Sequence, residues 1–395
     1  MYLSREEERM LEGEYGWAYE VSMKILVKLG ELFKADRLIP IESAHISGVS
    51  YKTIGDAPIE FLEKISEADG RVRVPSTLNP SGLDMKHLAS RLPRQYRIKQ
   101  THILNLYRRM GIKPTLTCTP YYLHKPEPSA HLAWAESSAV VYANSILGAY
   151  SNREGGPSAL AAALVGKTPN YGIHKAENRK PKVLVKIDKR LHEDVEFGAL
   201  GIYLGKTLKD EIPLISGLPK TGDDNLKQLG AGLASSGMLS MFLLEDPNLE
   251  TSGLEKISVG AEEIGETIEG LSSTLEKPDL VFIGCPHCST NEIREIARLI
   301  EGKKVRKDME FWVCISEHLM RMNRKEVEII EGCGGKVLCD TCAVVTWVKE
   351  LGIDTIMTNS AKTAYYAPTL CGVDATLASL RECVKTACGE TLTSQ

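Results

Sequence analysis

Long stretches with apolar residues at helical spacing alternate along this chain with short apolar runs, and most of those runs end in small polar residues. A capping-box pattern, Ser4-x-x-Glu7, opens a short helix. Glu14 to Phe33 continues as a longer amphipathic one and leads into the strand candidate Arg37-Leu-Ile-Pro-Ile41, after which Glu42 to Ser50 is small and polar. Strand-then-turn units follow at Arg71 to Val74, with Asn79-Pro80-Ser81-Gly82 behind it, and at His131 to Trp134, with Glu136-Ser137-Ser138-Ala139 behind it. Pro157 suits the first position of a small-residue helix, Ser158 to Val165. Further strands are expected at Lys182 to Ile187, Ile212 to Ser216 and Met238 to Leu244, with Asp223 capping the helix before Gly237. The glycine- and charge-rich segment 245–278 reads as a hinge. Beyond it the alternation is clearest, with strands near 279, 310, 335 and 354 and helices near 290, 324, 343 and 374. In the final helix Leu377, Leu380, Val384 and Ala387 recur at helical spacing, which makes Cys383 and Cys388 packing or surface residues. This order of elements predicts an α/β protein.

Length and composition narrow the class. A chain of 395 residues exceeds one typical core. It divides into an N-terminal α/β region 1–210 carrying the polar turns, a connecting α/β region and hinge 211–278, and a C-terminal α/β domain 279–395. Hydrophobic residues at 43%, charged residues at 25% and a net charge of -4 give no reason to expect a nucleic-acid or membrane partner. No run approaches the roughly 18–20 apolar residues of a membrane span, and the first residues lack the order of a secretory signal. A cytoplasmic location is expected. Ten cysteines in such a compartment point to ligands, nucleophiles or packing rather than disulfides. Glutamine occurs only at Gln95, Gln100, Gln228 and Gln395, which hints at a heat-adapted source.

The candidate chemistry lies at strand ends. Cys285-Pro-His-Cys288 follows Asp279 to Ile283, Cys339-Asp-Thr-Cys342 follows Lys336 to Leu338, and Cys118 follows Pro114 to Thr117. The carboxyl ends of parallel strands form the ligand crevice of an open α/β sheet, so these thiols suggest a metal or an iron-sulfur cluster. Zinc and a thioredoxin-like redox pair are weaker, because the stretch Ser289 to Leu338 holds a full strand-helix-strand unit and neither pair sits near the start of a small βαβ domain. A buried, inert pair is the bland alternative. Ser289-x-x-Glu292 places Cys288 beside a helix N-terminus, and Asp340 or Thr341 would do the same for Cys342 if a helix begins near Ala343; the dipole would lower both thiol pKa values. Lys362, within Asn359-Ser-Ala-Lys362, is either an anion partner in the crevice or a solvated surface lysine. Gly48-Val-Ser50 and Asn79-Pro80 offer backbone amides to an anion or are simply turns. Arg153 binds an anion or pairs with Glu154. His45 and His287 stand at strand ends with no role assigned.

Thr117-Cys118-Thr-Pro-Tyr-Tyr, Ala133-Trp-Ala-Glu-Ser-Ser-Ala-Val-Val-Tyr-Ala-Asn144, Ser151-Asn-Arg-Glu-Gly-Gly156, Gly284-Cys-Pro-His287, Asp340-Thr-Cys-Ala-Val-Val345 and Asn359-Ser-Ala-Lys362 together resemble the aconitase X family across essentially the whole chain. The resemblance implies an aconitase-like fold of several three-layer α/β/α domains with mostly parallel sheets around a central cleft. It also implies a hydro-lyase that dehydrates (R)-5-phosphomevalonate to trans-anhydromevalonate 5-phosphate in an archaeal modified mevalonate pathway for isoprenoid biosynthesis. The implied cofactor is an iron-sulfur cluster of the 4Fe-4S kind, its iron count open, with Cys118, Cys285 and Cys342 as ligands and Cys288 and Cys339 in reserve. The implied partner is a small swivelling-domain subunit carrying the general base. Gly48, Val49, Ser50, Asn79, Pro80, Ser138, Ala139 and Lys362 are the substrate-binding candidates for a small phosphorylated hydroxy acid. The alternatives are a cis-3-hydroxy-L-proline dehydratase, the activity of the family's fused-chain branch, or a metal-bearing scaffold subunit without chemistry of its own.

Overall fold

The computed structural model describes every residue except 247–248, 250, 274–276 and 391–395. The chain forms two compact units, residues 1–82 with 93–180, and residues 83–92 with 181–395.

In the first unit β1 (Leu38–Pro40) pairs antiparallel with a later strand, and the next strand follows at once: β2 (Ser43–Ile46) lies inside the stretch expected to be a polar turn. Burial explains the difference. Ala44, His45 and Ile46 are all interior, and the polar one finds partners there. The strand expected at Arg71 to Val74 begins later, as β3 (Ser76–Leu78), because Arg71 and Arg73 are held at the surface by ion pairs with Asp69 and Glu6. With β4 (His131–Trp134) and β5 (Tyr150–Ser151) these make a parallel sheet in the order β3-β2-β4-β5, and β6 (Lys167–Pro169) is the partner of β1. The helix Gly156–Val165 is apolar on every side and packs between the helix Trp17–Leu32 and β2, as a fully buried helix must.

The second unit carries two parallel sheets among the described residues. The first, in the order β10-β7-β8-β9, contains β7 (Val183–Ile187), β8 (Pro213–Ser216), β9 (Leu243–Leu244) and β10 (Glu255–Val259). The expected strand at Met238 to Leu244 is thus reduced to its last two residues. The expected hinge 245–278 supplies β10, paired along its length with β7, and the helix Ala261–Gly270; residues 247–248, 250 and 274–276 of that segment lie outside the described residues. Gly222 occupies the cap position, and Asp223 opens the helix Asp223–Ser236. The second sheet, in the order β13-β12-β11-β14-β15, contains β11 (Leu280–Ile283), β12 (Glu310–Cys314), β13 (Lys336–Leu338), β14 (Thr355–Thr358) and β15 (Asp374–Leu377). Residue 374 therefore starts a strand, and the last helix is Leu380–Cys388, with Cys383 in its buried face. No helix begins directly after Cys342, where residues 343–345 and 348–352 form turns.

Strand order in this sheet has a functional consequence. From β11 the chain winds outward through β12 and β13, then returns to place β14 and β15 on the other side. The crevice outside the carboxyl ends of β11 and β14 is the topological switch point, where open parallel sheets bind ligands. Among the described residues no helix is long and apolar enough to cross a membrane.

Candidate functional site

In the first unit the carboxyl ends of three adjacent strands bring the sequence-selected residues to one edge: Gly48, Val49 and Ser50 after β2, Asn79 and Pro80 after β3, Ser138 and Ala139 after β4. Gly48 has φ of +78°, a conformation costly for any side chain. Its carbonyl accepts from the Tyr107 hydroxyl at 3.3 Å, and the Val49 carbonyl accepts from Gln100 Nε2 at 2.9 Å. The Gln100 Oε1 in turn accepts the N–H groups of Tyr51 and Gly82, each at 3.0 Å. One buried amide thereby ties the turn after β2 to the turn after β3. Sequence reading passed over Gln100, although it shares the buried face of its helix with Ile103, Leu106 and Tyr107, and a polar residue on such a face is the signal. Gly156 lies beneath the same turn, where a Cβ would stand 2.7 Å from the Ser47 carbonyl.

A buried polar network fixes Asn79. His45 sits between Thr77 Oγ1, 2.8 Å from Nδ1, and Asn79 Oδ1, 3.3 Å from Nε2; since an amide oxygen only accepts, Nε2 carries the proton. Burial lowers the His45 pKa to about 4 against the opposing pull of Glu136, so the ring is neutral. Asn79 Nδ2 donates to Glu136 Oε2 at 2.8 Å, and the Ser138 hydroxyl donates to Glu136 Oε1 at 2.9 Å. Asn79 and Gly48 are half-exposed, whereas Val49, Ser50, Pro80, Ser138 and Ala139 are buried. The second Nδ2 hydrogen of Asn79 is thus aimed by its neighbours. Ala139 packs with Tyr121 and Leu132, so only its backbone can meet a ligand. Thr117 donates its N–H to the Leu78 carbonyl at 3.1 Å, which sets buried Cys118 at the end of β3.

The second unit gathers the other thiols at the carboxyl edge of its second sheet. Cys285 follows Gly284, whose φ of +108° and closeness to the Cys314 backbone admit only glycine. The Ser360 hydroxyl, from the loop after β14, donates to the Cys285 carbonyl across the switch point. Cys288 donates its N–H to the Cys314 carbonyl at 2.9 Å, and Cys339 donates its own to Asp84 Oδ2 at 3.1 Å. The Cys339 sulfur turns to Met320 Sδ at 3.3 Å, and the Cys288 sulfur is fully buried beside Glu292. Cys339 thus has a sulfur partner of its own, while Cys288, Cys339 and Cys342 all lie near enough to Cys314 to raise its pKa.

Burial pushes the Cys342 thiol up to about 12, and the Cys285 sulfur beside it acts in the same direction, with Lys362 opposing. Burial likewise holds Cys288 well above the ordinary thiol range. The expected helix-dipole depression is overturned at both positions: for Cys288 desolvation outweighs the dipole of the helix Thr290–Ile300, and no helix begins directly after Cys342. Cys285 and Cys342 are buried neighbours, neither in a disulfide, and offer two sulfur donors, while among the described residues no group of three or more His, Cys, Asp or Glu side chains stands ready to hold a metal ion. Cys314, missed in the sequence, closes the strand between the two Cys-x-x-Cys loops and feels Cys342 and Cys288. Lys362 is buried on the short helix Ala361–Tyr366. A cavity of about 340 Å³ opens at the edge near the switch point, lined by Asp194, Asp224, Glu292, Asn359 and Arg381 among others. There Asn359 Nδ2 donates to Asp194 Oδ2 at 2.6 Å, and burial raises the Asp194 pKa to about 6.

Comparison with known proteins matches residues 1–177 to the aconitase X first domain, 181–269 to its second domain and 278–389 to its third domain. The chain is 44% identical to the phosphomevalonate dehydratase large subunit of Methanocaldococcus jannaschii over 98% of its length and 100% of the relative's. It is 42% identical to that of Methanosarcina mazei over 98% of each. A cis-3-hydroxy-L-proline dehydratase of Pseudomonas aeruginosa is 32% identical and is spanned over 69% of its length. The crystal structure of Thermococcus kodakaraensis aconitase X in its holo-form superposes with a TM-score of 0.92 at 41% identity, covering 98% of this chain and 100% of that one.

Proposed function

The chain belongs to the aconitase X family, and from that premise we propose that it is the large subunit of a phosphomevalonate dehydratase, a hydro-lyase converting (R)-5-phosphomevalonate to trans-anhydromevalonate 5-phosphate and water. The observation that carries this reading is the end-to-end match, at 42% identity or more, to large subunits of that enzyme. The hydroxyproline dehydratase, more distant and much longer than this chain, is the weaker alternative. The word "large" in those relatives' names supports a smaller partner subunit; as part of the proposal, that partner brings the swivelling domain and the general base, and the pair works in the cytoplasm.

The proposed cofactor is an iron-sulfur cluster, with Cys118, Cys285 and Cys342 as its ligands. When bound it supplies a Lewis acid that stabilises the charge developing on the departing 3-hydroxyl, since hydroxide alone is a poor leaving group. The chain's own residues bind and orient. Asn79, aimed by Glu136 and His45, offers one amide hydrogen to a substrate oxygen. The turn 48–50, its carbonyls bound by Tyr107 and Gln100, is held rigid for an anionic ligand. The Lys362 ammonium, buried at the edge that carries Cys342, pairs with a carboxylate or phosphate. Such preorganised dipoles assist a reaction that builds negative charge next to a carboxylate.

Anaerobic co-purification with the small subunit, iron and sulfide analysis, and an assay on (R)-5-phosphomevalonate test the proposal. Water loss from this substrate, dependent on both chains and on the cluster, is expected. Turnover of cis-3-hydroxy-L-proline instead, or stoichiometric zinc in place of iron, would overturn it.

A further inference from the structure

Cys285 follows β11 and Cys342 follows β13, and these strands do not pair, because β12 lies between them. The ladders to β12 fix the strand ends, but both thiols stand in loops beyond the last paired residues, Ile283 and Leu338, so a contact between the loops is needed to set their separation. His287 makes that contact. Its Nε2 lies 3.1 Å from the Thr341 carbonyl, one residue before Cys342, and both residues are fully buried. A carbonyl only accepts, so Nε2 is the donor. A buried bond of this kind costs the full desolvation of both groups when broken.

The other side of the loop is gripped as well. Lys227, on the helix Asp223–Ser236 and 2% exposed, donates to the His287 carbonyl at 3.3 Å and to the Glu292 carboxylate. Asp224 lies 3.8 Å away. Glu292 accepts the Ser289 N–H at 2.7 Å. A buried lysine is tolerated only when paired. Here the pair holds the backbone on both sides of Cys288, at His287 and at Ser289.

We infer that His287 is a positioning residue that sets the spacing of Cys285 and Cys342, and that the Lys227–Glu292 pair anchors it. The inference rests on the proposed cluster. Neither His287 nor the pair needs to touch the metal: partners behind the ligands commonly change metal affinity by about 10–100-fold.

The test uses the full chain with its small subunit, reconstituted anaerobically. His287→Leu keeps the volume and removes the donor, while His287→Gln places an amide N–H near the Nε2 position. Iron and sulfide per chain, the rate of iron loss to a chelator and the electron paramagnetic resonance line shape are read. His287→Leu is expected to lose iron about tenfold faster, with an altered line shape, and His287→Gln to stay close to the parent chain. The double variant Lys227→Met with Glu292→Gln, which leaves no bare buried charge, is expected to move in the same direction as His287→Leu and serves as the test if that variant does not fold. Parent-like iron retention and line shape in His287→Leu, or in the double variant when it alone folds, would overturn the inference, as would a His287→Gln variant no better than His287→Leu. A parent chain without iron and sulfide would fail earlier and separately, taking the cluster reading with it.

Discussion

Gly201 gives a sharp test of how the second unit packs. The helices Asp194–Leu208 and Asp223–Ser236 meet along glycines, Gly198, Gly201 and Gly205 on one and Gly232 and Gly237 beyond it on the other. A Cβ added at Gly201 would run into the Leu229 carbonyl oxygen, stand 2.8 Å from the Leu233 nitrogen and 3.1 Å from the Gly232 Cα. Every obstacle is backbone, so no side chain can rotate away and the helices must separate. Overpacking of this kind costs about 1–3 kcal/mol, and the upper end applies here; better helix propensity returns about 1 kcal/mol. Gly201→Ala should therefore destabilise by about 2 kcal/mol, or about 4–8 °C in Tm for a unit of this size. The control is Gly265→Ala in the helix Ala261–Gly270, where a Cβ meets nothing within 4 Å. That change should stabilise by about 0.5–1 kcal/mol. Thermal and urea unfolding of the full chain, followed by circular dichroism, read both. A neutral or stabilising Gly201→Ala would refute the reasoning, because helix propensity would then outweigh the backbone contact.

Cys285→Ser and Cys342→Ser should each lose most of the iron bound by the parent, whereas Cys288→Ala and Cys339→Ala should keep it, since the Cys288 thiol is buried near the Lys227–Glu292 pair and the Cys339 thiol contacts Met320; iron analysis of reconstituted protein decides. Gln100→Leu strands the Val49 carbonyl and the Tyr51 and Gly82 N–H groups, and should cost about 2–4 kcal/mol in denaturant unfolding and raise the substrate KM. Asp194, raised from 3.8 to about 6 chiefly by burial, holds its proton more tightly folded than unfolded. Stability should accordingly fall by about 3 kcal/mol as pH rises from about 4 to about 6 and level off above; Asp194→Asn should flatten that slope in unfolding curves taken across the range.

Local chemistry made much of this protein legible in its sequence. The Ser4 and Ser289 capping boxes form as written, because the residues that satisfy each helix end are three apart in the chain. Four of the five strands of the C-terminal sheet appear at their expected places, β11 and β12 as largely apolar runs buried in a parallel sheet, whereas the fifth, β15, stands where a helix was expected. The separated motifs were specific enough to carry the family and the activity that the full-length relatives support. The structure departs from expectation where distant partners decide. Ser43–Ile46 looks like a polar turn until Thr77 and Asn79 satisfy His45 inside the sheet. The segment 245–278 looks like a hinge until β10 finds β7, some seventy residues earlier in the chain. Helix ends beside the thiols predict lowered pKa values, and burial reverses the sign at Cys288 and Cys342. Gln100, Cys314 and the contact of His287 with Thr341 had no role in the sequence reading, for their meaning comes from neighbours tens of residues away. The sequence by itself determined which groups can cap, ligate and turn, since those properties depend on residue type and short spacing. Only the tertiary structure decided which of them are dry, paired and side by side, because desolvation and hydrogen bonding depend on what the rest of the chain brings to the same place.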